Sequence, residues 1–242
     1  MAKLRPRLAD GACTTLYVAA FPLAAVDVRV ARLDGSTSLV RWCRGAGVAH
    51  AIVGGFFIRP HNTPLGELRI AGAPVETVPF AAPWDGVRSC VQVEPGAVAI
   101  ARRPELPPEP PGDVLQAGPL LVREGASVVT GDDDEGFTAG AHQFDSDISD
   151  GRHPRCALAL SADQVFAVAC DGRHPDDAGL TLAELADLLV GLGAHSALNL
   201  DGGGSASLVC RGRLVNRPRE QHGIGLLEGR TIATALAFEL RD

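Results

Sequence analysis

Short stretches of alternating or continuously apolar residues predict a protein that is rich in β-strands. Residues 26–33 alternate with period two and end at Asp34-Gly35, which is typical of a half-buried strand. Residues 50–57 and 231–240 are more continuously apolar, so we expect buried strands there. Residues 75–100 hold further strand-like runs separated by Pro and Gly.

Helical patterns are few. Residues 182–192 carry leucines at helical spacing, Thr181 and Glu184 predict a capping box, and Gly193 suits the C-terminal cap. A shorter helix is predicted over residues 39–46. Many strands with one or two helices predict the α+β class, as a single domain (1–242) around a large mixed β-sheet.

Two segments are predicted to be connections within this domain. Residues 104–111 contain five prolines in eight positions, which indicates a stiff surface connection. Residues 131–150 are acidic and poor in apolar residues, so we expect a mobile loop there. Its run at 132–135 is expected to be solvated and self-repelling.

Composition narrows the class of protein. A net charge of −7 argues against nucleic acid as a partner. No apolar run approaches the roughly 20 residues that span a bilayer, so no membrane association is expected. The N-terminus shows no secretory signal. The six cysteines are scattered without a Cys-x-x-Cys pair, which predicts free core thiols and a cytoplasmic location.

The segment Asn-Leu-Asp-Gly-Gly-Gly-Ser at 199–205 is the most informative chemical feature. Residues 197–200 and 206–210 are expected to be buried strands with the glycines forming the bend between them. Successive N–H groups in such a bend can form an anion-binding concavity beside the Asp201 carboxylate. The alternative is a tight hairpin in which Asp201 caps its own turn.

The chain resembles the phosphodiester glycosidase family. The segment at 199–205, followed by 211–218, is similar to the family's C-terminal signature, and residues 52–57, 116–122, 153–157 and 169–173 resemble its other segments in order. The resemblance covers roughly residues 24–240. Two positions depart from the family pattern, since Val53 stands in place of Asn and Cys156 in place of Thr.

The resemblance implies hydrolysis of a sugar-1-phosphodiester between the anomeric carbon and the phosphate oxygen, which releases free sugar and a phosphomonoester. Asp201 would act as the catalytic acid or base, because glycosidases use carboxylates in pairs. Asp171, after the apolar run 165–170, is the candidate second catalytic carboxylate. Its alternative is an ordinary turn residue. Glu67 ranks below both.

The remaining candidates would bind substrate. Arg155 would hold the phosphate by a bidentate fork, with a surface ion pair as the alternative. The glycine bend would donate hydrogen bonds, while Gly54 and Gly55 either approach the ligand or only pack. Asn199 and Arg217 are support or sugar-contact candidates. The whole substrate-binding set is Arg155, Gly202, Gly203, Gly204, Ser205, Gly54, Gly55, Asn199 and Arg217.

No cofactor is expected. The seven histidines lack metal-ligand spacing, and Asp145, Asp147 and Asp150 depart from a calcium-loop pattern, so no metal site is predicted. The expected partner is a small sugar phosphodiester or nucleotide-sugar, as an intracellular metabolite or biosynthetic intermediate. Two alternatives remain open at this stage. One is a non-catalytic binder of glycosyl phosphates, and the other is a family member retooled for transfer or elimination.

Overall fold

A computed structural model describes residues 1–34, 36–131, 134–137, 143 and 151–241. Its two α-helices in these residues are α1 Leu39–Ala46 and α2 Leu182–Gly191. Its strands in chain order are β1 Ala2–Leu4, β2 Leu16–Pro22, β3 Val26–Arg32, β4 His50–Val53, β5 Phe57–Ile58, β6 Thr63–Pro64, β7 Leu68–Ile70, β8 Ala73–Pro74, β9 Ser89–Glu94, β10 Ala97–Arg102, β11 Asp113–Gln116, β12 Leu120–Arg123, β13 Ala126–Ser127, β14 Arg155–Leu160, β15 Gln164–Cys170, β16 Ser196–Asn199, β17 Leu208–Cys210, β18 Arg213–Leu214 and β19 Thr234–Leu240.

The strands form three larger sheets and a short ribbon. The main sheet has the order β1-β2-β15-β14-β16-β12-β13, the second sheet β18-β17-β4-β19-β3, and the third sheet β10-β9-β11-β7-β8. Strands β5 and β6 pair separately. The predicted α+β class is confirmed. The predicted large mixed sheet is instead divided, and the paired strands described here run antiparallel. Short turns such as that between β14 and β15 permit this pairing, whereas parallel neighbours need longer crossovers.

The main and second sheets share the largest hydrophobic core. Cys156, Leu158 and Leu160 of β14 point into it, as do Ile52 of β4 and Leu236 of β19. The rings of Phe21 and Phe238 stack at 4.9 Å between centroids and so join β2 to β19. This face of the main sheet is therefore covered by the second sheet.

Helix α2 covers the opposite face of the main sheet. Ala157 and Ala159 of β14 point to that side, where Leu182, Leu185 and Leu189 pack in a second core. Strand β14 is thus buried on both faces, which explains its continuously apolar sequence. Both predicted helices are confirmed, α1 at its expected bounds and α2 one residue shorter at its C-terminal end.

The acidic segment differs from expectation where the structure describes it. Glu135 is 3% exposed, and its carboxylate accepts hydrogen bonds from the N–H groups of Ser89 and Leu120, both at 2.6 Å. Burial raises the pKa of Glu135, while these two donors act in the opposite direction. The solvated run predicted at 132–135 is therefore wrong for Glu135. The candidate calcium positions Asp145, Asp147 and Asp150 lie outside the described residues.

Two simpler expectations hold. The proline-rich connection at 104–111 contains no strand in the structure and is mostly exposed. All six cysteines, which lie within the described residues, are free thiols, and five of them are buried. No helix in the described part of the chain is long and apolar enough to cross a membrane.

Replacing Thr181 with Ala should lower the free energy of unfolding by about 1 kcal/mol. The Thr181 hydroxyl accepts the Glu184 N–H at 3.1 Å, and the Glu184 carboxylate accepts the Thr181 N–H at 2.9 Å. The substitution removes the first of these bonds at the start of α2. Urea unfolding followed by circular dichroism measures the loss. The exposed Thr130→Ala is the matched control, and equal stability of the two variants would contradict the capping role.

Candidate active site

The site lies where the chain passes from the main sheet to the second sheet. Strand β16 ends at Asn199 in the main sheet, and β17 begins at Leu208 in the second sheet. We call Asp201–Ser205 between them the glycine loop. Because β16 and β17 pair with different strands, the tight-hairpin alternative is wrong.

Asp201 is held by its backbone at this crossing. Its N–H donates to the carbonyl of Gly54 at 3.0 Å, at the end of β4. Its Oδ1 accepts the Gly202 N–H at 2.8 Å, so the carboxylate also caps its own loop. The residue is half-buried. A fixed backbone and a partly exposed carboxylate suit a group that handles a substrate proton.

The amides of the glycine loop are largely used inside the protein. Gly203 N–H donates to Pro154 O at 2.9 Å, and Ser205 N–H donates to Gly202 O at 3.0 Å. The Ser205 hydroxyl is fully buried and has no partner among the described residues. The predicted row of phosphate-binding donors at Gly202, Gly203 and Ser205 is therefore not presented to a ligand. In the described part of the chain, the N–H of Gly204 is the loop donor left without a protein acceptor.

Close packing explains why this loop needs glycine. A side chain at Gly202 would place its Cβ 2.7 Å from the Pro154 carbonyl oxygen. At Gly204 the Cβ would lie 2.8 Å from the Glu220 carboxylate. Both distances are too short for a carbon atom, so the loop lies directly against Pro154 on one side and Glu220 on the other.

Gly54 and Gly55 pack against protein atoms. A Cβ on Gly54 would lie 2.5 Å from Thr234 Oγ1, and one on Gly55 would lie 3.0 Å from the Gln116 carbonyl. The packing alternative therefore describes these two glycines, and Gly54 contributes to the site through its carbonyl bond to Asp201.

Arg155 does not lie where a phosphate-binding fork was expected. The residue is 3% exposed, its Nε donates to the Leu180 carbonyl at 3.1 Å, and its Nη2 donates to the Gly151 carbonyl at 3.2 Å. A guanidinium that donates to backbone carbonyls stabilises the backbone. We correct its role to that of a support for the residues before β14.

Asp171 is also a support rather than an exposed catalytic group. It is 1% exposed, its Oδ1 accepts the Arg217 N–H at 2.6 Å, and its Oδ2 accepts the Tyr17 hydroxyl at 3.2 Å. Burial raises the pKa of Asp171, and it also raises the pKa of Tyr17 to about 12. Asp171 therefore ties the end of β15 to β2 and to the segment that begins at Arg217.

The remaining predicted residues are Asn199, Arg217 and Glu67. Asn199 is buried, its Nδ2 donates to Gly118 O at 2.9 Å, and its Oδ1 has no partner among the described residues. Arg217 is anchored through its backbone and has an exposed side chain. Glu67 lies beside the third sheet, where it forms ion pairs with Arg103 and Arg69.

Three arginines near the glycine loop or Glu220 were not among the predicted site residues. Arg173 lies next to Gly203, where an added Cβ would be 3.1 Å from its Nη1. Arg230 forms an ion pair with Glu220, and its N–H donates to Gly204 O at 3.2 Å. Arg59 is close enough to act electrostatically on Glu220. We call Arg59, Arg173 and Arg230 the arginine cluster.

Glu220 is the acidic member of this group. The hydrogen bonds from Arg230 lower its pKa, and the charges of Arg59 and Arg173 lower it further. Glu220 therefore stays ionised at neutral pH and is a poor proton donor. Glu220 is thus an ionised carboxylate that interacts with three arginines, and two of them, Arg173 and Arg230, also lie against the glycine loop.

Arg173 is held in an unusual backbone conformation. Its φ of 56° lies in the left-handed region, which a non-glycine residue adopts at a cost. The guanidinium Nη1 donates to Arg219 O at 3.1 Å, and Nη2 lies 3.5 Å from His153 Nδ1. Strain of this kind is concentrated at functional sites. The family-like segment at 169–173 contains Arg173, so the sequence could have indicated this residue, although only Asp171 was predicted from it.

Residues 46–239 match the protein family described as phosphodiester glycosidase. The chain belongs to this family. A phosphodiester glycosidase is a hydrolase, and its activity is directed at sugar phosphodiesters. A comparison with curated protein sequences found no match.

Three solved structures share the fold of this phosphodiester glycosidase. The zebrafish N-acetylglucosamine-1-phosphodiester alpha-N-acetylglucosaminidase catalytic domain, auto-inhibited by its pro-peptide, is 19% identical with a TM-score of 0.73, covering 100% of this chain and 82% of that chain. A hypothetical protein from Synechocystis is 19% identical with a TM-score of 0.65, covering 99% and 61%. A putative exported protein from Burkholderia pseudomallei is 15% identical with a TM-score of 0.63, covering 96% and 74%.

No group of three or more His, Cys, Asp or Glu side chains in the described ranges is arranged to hold a metal ion.

The Asp171→Asn variant should change how stability depends on pH. The pKa of Asp171 is raised above its ordinary value of 3.8, so folding favours the protonated form. This contribution is fully present below the unfolded pKa and is lost as the pH rises through the folded pKa. The free energy of unfolding of the wild type, relative to the variant, should therefore fall as the pH rises from about 4 to 7.

Urea unfolding at several pH values measures this difference. The exposed Asp187→Asn on α2 removes one acidic group without touching the site and is the control. A wild-type advantage over Asp171→Asn that grows with pH would show that the raised pKa has been assigned with the wrong sign.

Proposed function

We propose that this protein hydrolyses sugar-1-phosphodiesters between the anomeric carbon and the phosphate oxygen. The observation that carries the proposal is the position of Asp201, a half-buried acidic residue on the same glycine loop that Arg173 and Arg230 line. A phosphodiester linked to a sugar presents both an anion and an anomeric centre. The cluster suits the anion, and the carboxylate suits the proton transfer at the sugar.

The phosphate would bind to the arginine cluster. Arg173 and Arg230 flank the glycine loop, and the Gly204 N–H adds a neutral donor between them. Guanidinium groups bind phosphate oxygens with charge-assisted hydrogen bonds. Glu220 would act as a positioning residue that keeps Arg230 against Gly204. This assignment replaces the phosphate-binding role predicted for Arg155.

Asp201 would serve as the base that activates water. The bond between the anomeric carbon and the phosphate oxygen breaks, and the phosphomonoester leaves with the bonding electrons. Because the second pKa of such a monoester is about 6, cations stabilise it as it leaves and a strong acid is not required. The oxygen of water joins the anomeric carbon while Asp201 accepts its proton. The products are free sugar and a phosphomonoester.

We also propose a substrate class and a cellular location. The substrate would be a nucleotide-sugar or another phosphorylated biosynthetic intermediate in the cytoplasm. Six free thiols, five of them buried, support a reducing compartment. Fractionation of cells that produce the untagged protein tests the location, and recovery only outside the cytoplasm would contradict it.

The Asp201→Asn variant should lose activity at least about a hundredfold, because the amide cannot accept the proton from water. The amide oxygen can still accept the Gly202 N–H, so the fold should be retained. Release of free sugar from a panel of nucleotide-sugars and methyl sugar-1-phosphodiesters measures the loss. Asp187→Asn on the exposed face of α2 is the control.

Unchanged turnover in Asp201→Asn would contradict the role of Asp201. If the wild type binds a panel member in calorimetry without releasing sugar, the chain is a glycosyl-phosphate binder. This second candidate function is favoured by Val53, which stands in place of the family's Asn. Its aliphatic side chain is fully buried directly before Gly54. Products other than free sugar would indicate transfer or elimination.

The Arg173→Asn variant should lower kcat/KM by about tenfold to a hundredfold, mainly through KM, because one charge-assisted contact to phosphate is lost. Asn tolerates the left-handed conformation better than most residues, so stability should change little. Glu124→Asn makes the same kind of change at a φ of 52° on an exposed turn and is the control. Equal kcat/KM in wild type and Arg173→Asn would show that this arginine does not bind substrate.

A further inference from the structure

A cavity lies at the ends of β4 and β17 that are remote from the glycine loop. Strand β4 begins at His50 and reaches the loop at Gly54, while β17 runs from the loop side at Leu208 to Cys210. His50 and Cys210 line a cavity of about 780 Å³. Four residues of extended chain separate it from Gly54, a distance of about 13 Å. This cavity is therefore distinct from the candidate active site.

One wall of the cavity is apolar. Phe21 of β2, Val215 and Leu240 are among its lining residues. The rings of Phe21 and His50 meet edge to face with centroids 5.2 Å apart. The volume and the apolar wall suit the hydrocarbon part of a small organic molecule.

The charged side chains that line the cavity are cationic. Arg211 and Arg213 line it with exposed side chains. No Asp or Glu belongs to its lining, all of which is described. This is unexpected in a chain with 29 acidic and 22 basic residues. The cavity therefore favours an anion against the net charge of the whole protein.

His50 supplies a polar atom that the protein does not use. Its Nδ1 is buried and has no hydrogen-bond partner among the described residues. A buried polar atom without a partner costs free energy. His50 lines the cavity, and its ring packs edge to face against Phe21.

We propose that this cavity binds a small amphipathic anion, a carboxylate or sulfonate with an apolar body. The apolar body would pack on Phe21, Val215 and Leu240. The anionic head would bind Arg211 and Arg213, close to His50 in the cavity lining. Nothing in this assignment depends on the reaction proposed for Asp201, so the two are tested separately.

Octanoate is the probe, and it is titrated into the full chain by calorimetry with octanol and octylammonium as ligands of the same tail. Octanoate should bind with one site and shift the ring resonances of His50 in NMR spectra. Octanol should bind at least about tenfold more weakly, because it lacks the charge-assisted contacts, and octylammonium more weakly still.

Variants locate the site. The double variant Arg211→Gln/Arg213→Gln should weaken octanoate binding at least about tenfold. Ala20→Trp places a large side chain at an exposed position of the lining and should abolish binding. Ala99→Trp, on exposed β10, and Arg123→Gln, on β12, are the matched controls and should bind octanoate as the wild type does.

Three results would overturn the proposal. The first is no binding of octanoate up to about 10 mM, a concentration that would fill even a millimolar site. The second is equal binding of octanol and octanoate, which would remove the role of the anion. The third is octanoate binding that Ala20→Trp leaves unchanged while the His50 resonances do not move, which would place octanoate elsewhere.

Discussion

The hydrogen bond from the Asp201 N–H to the Gly54 carbonyl is the contact on which the site depends. It joins the end of β4 in the second sheet to the chain that has just left β16 in the main sheet. Both sheets are rigid because they share one buried core. The position of the Asp201 carboxylate is therefore set by two sheets at once, which is how a fold provides a catalytic group with a fixed orientation.

Two buried charged residues support the segments around this contact, and burying their charges costs free energy. Asp171 and Arg155 are both nearly inaccessible, and each binds backbone groups of neighbouring segments. Burial raises the pKa of the Asp171 carboxyl because water no longer solvates the charged form. The hydrogen bond from the Arg217 N–H acts in the opposite direction. The bond from the Arg217 N–H to Asp171 fixes the start of residues 217–220. This segment ends at Glu220, which forms the ion pair with Arg230.

Much of the fold followed from local sequence patterns. Period-two alternation predicted β3, and the Thr181–Glu184 capping box placed the start of α2 at the correct residue. The glycine loop was also predicted as the bend between two buried strands. These features are local, since each depends on residues within one or two turns of chain.

The sequence could not show which strands pair or which way a polar side chain turns. The division into three larger sheets depends on long-range pairing, as between β19 and β3. Arg155 and Arg173 both lie within family-like segments, but only the folded structure shows Arg155 bound to backbone carbonyls and Arg173 beside Gly203. Glu135 was hidden for the same reason, because its two backbone donors come from distant strands.

In the proposed reaction, the bond between the anomeric carbon and the phosphate oxygen breaks. Hydrolysis of a sugar-1-phosphodiester in water enriched in oxygen-18, with mass spectrometry of both products, shows which bond is cleaved. We expect the label to enter the free sugar and the phosphomonoester to stay unlabelled. Label found in the phosphomonoester would mean attack at phosphorus, and the site would then be a phosphodiesterase rather than a glycosidase.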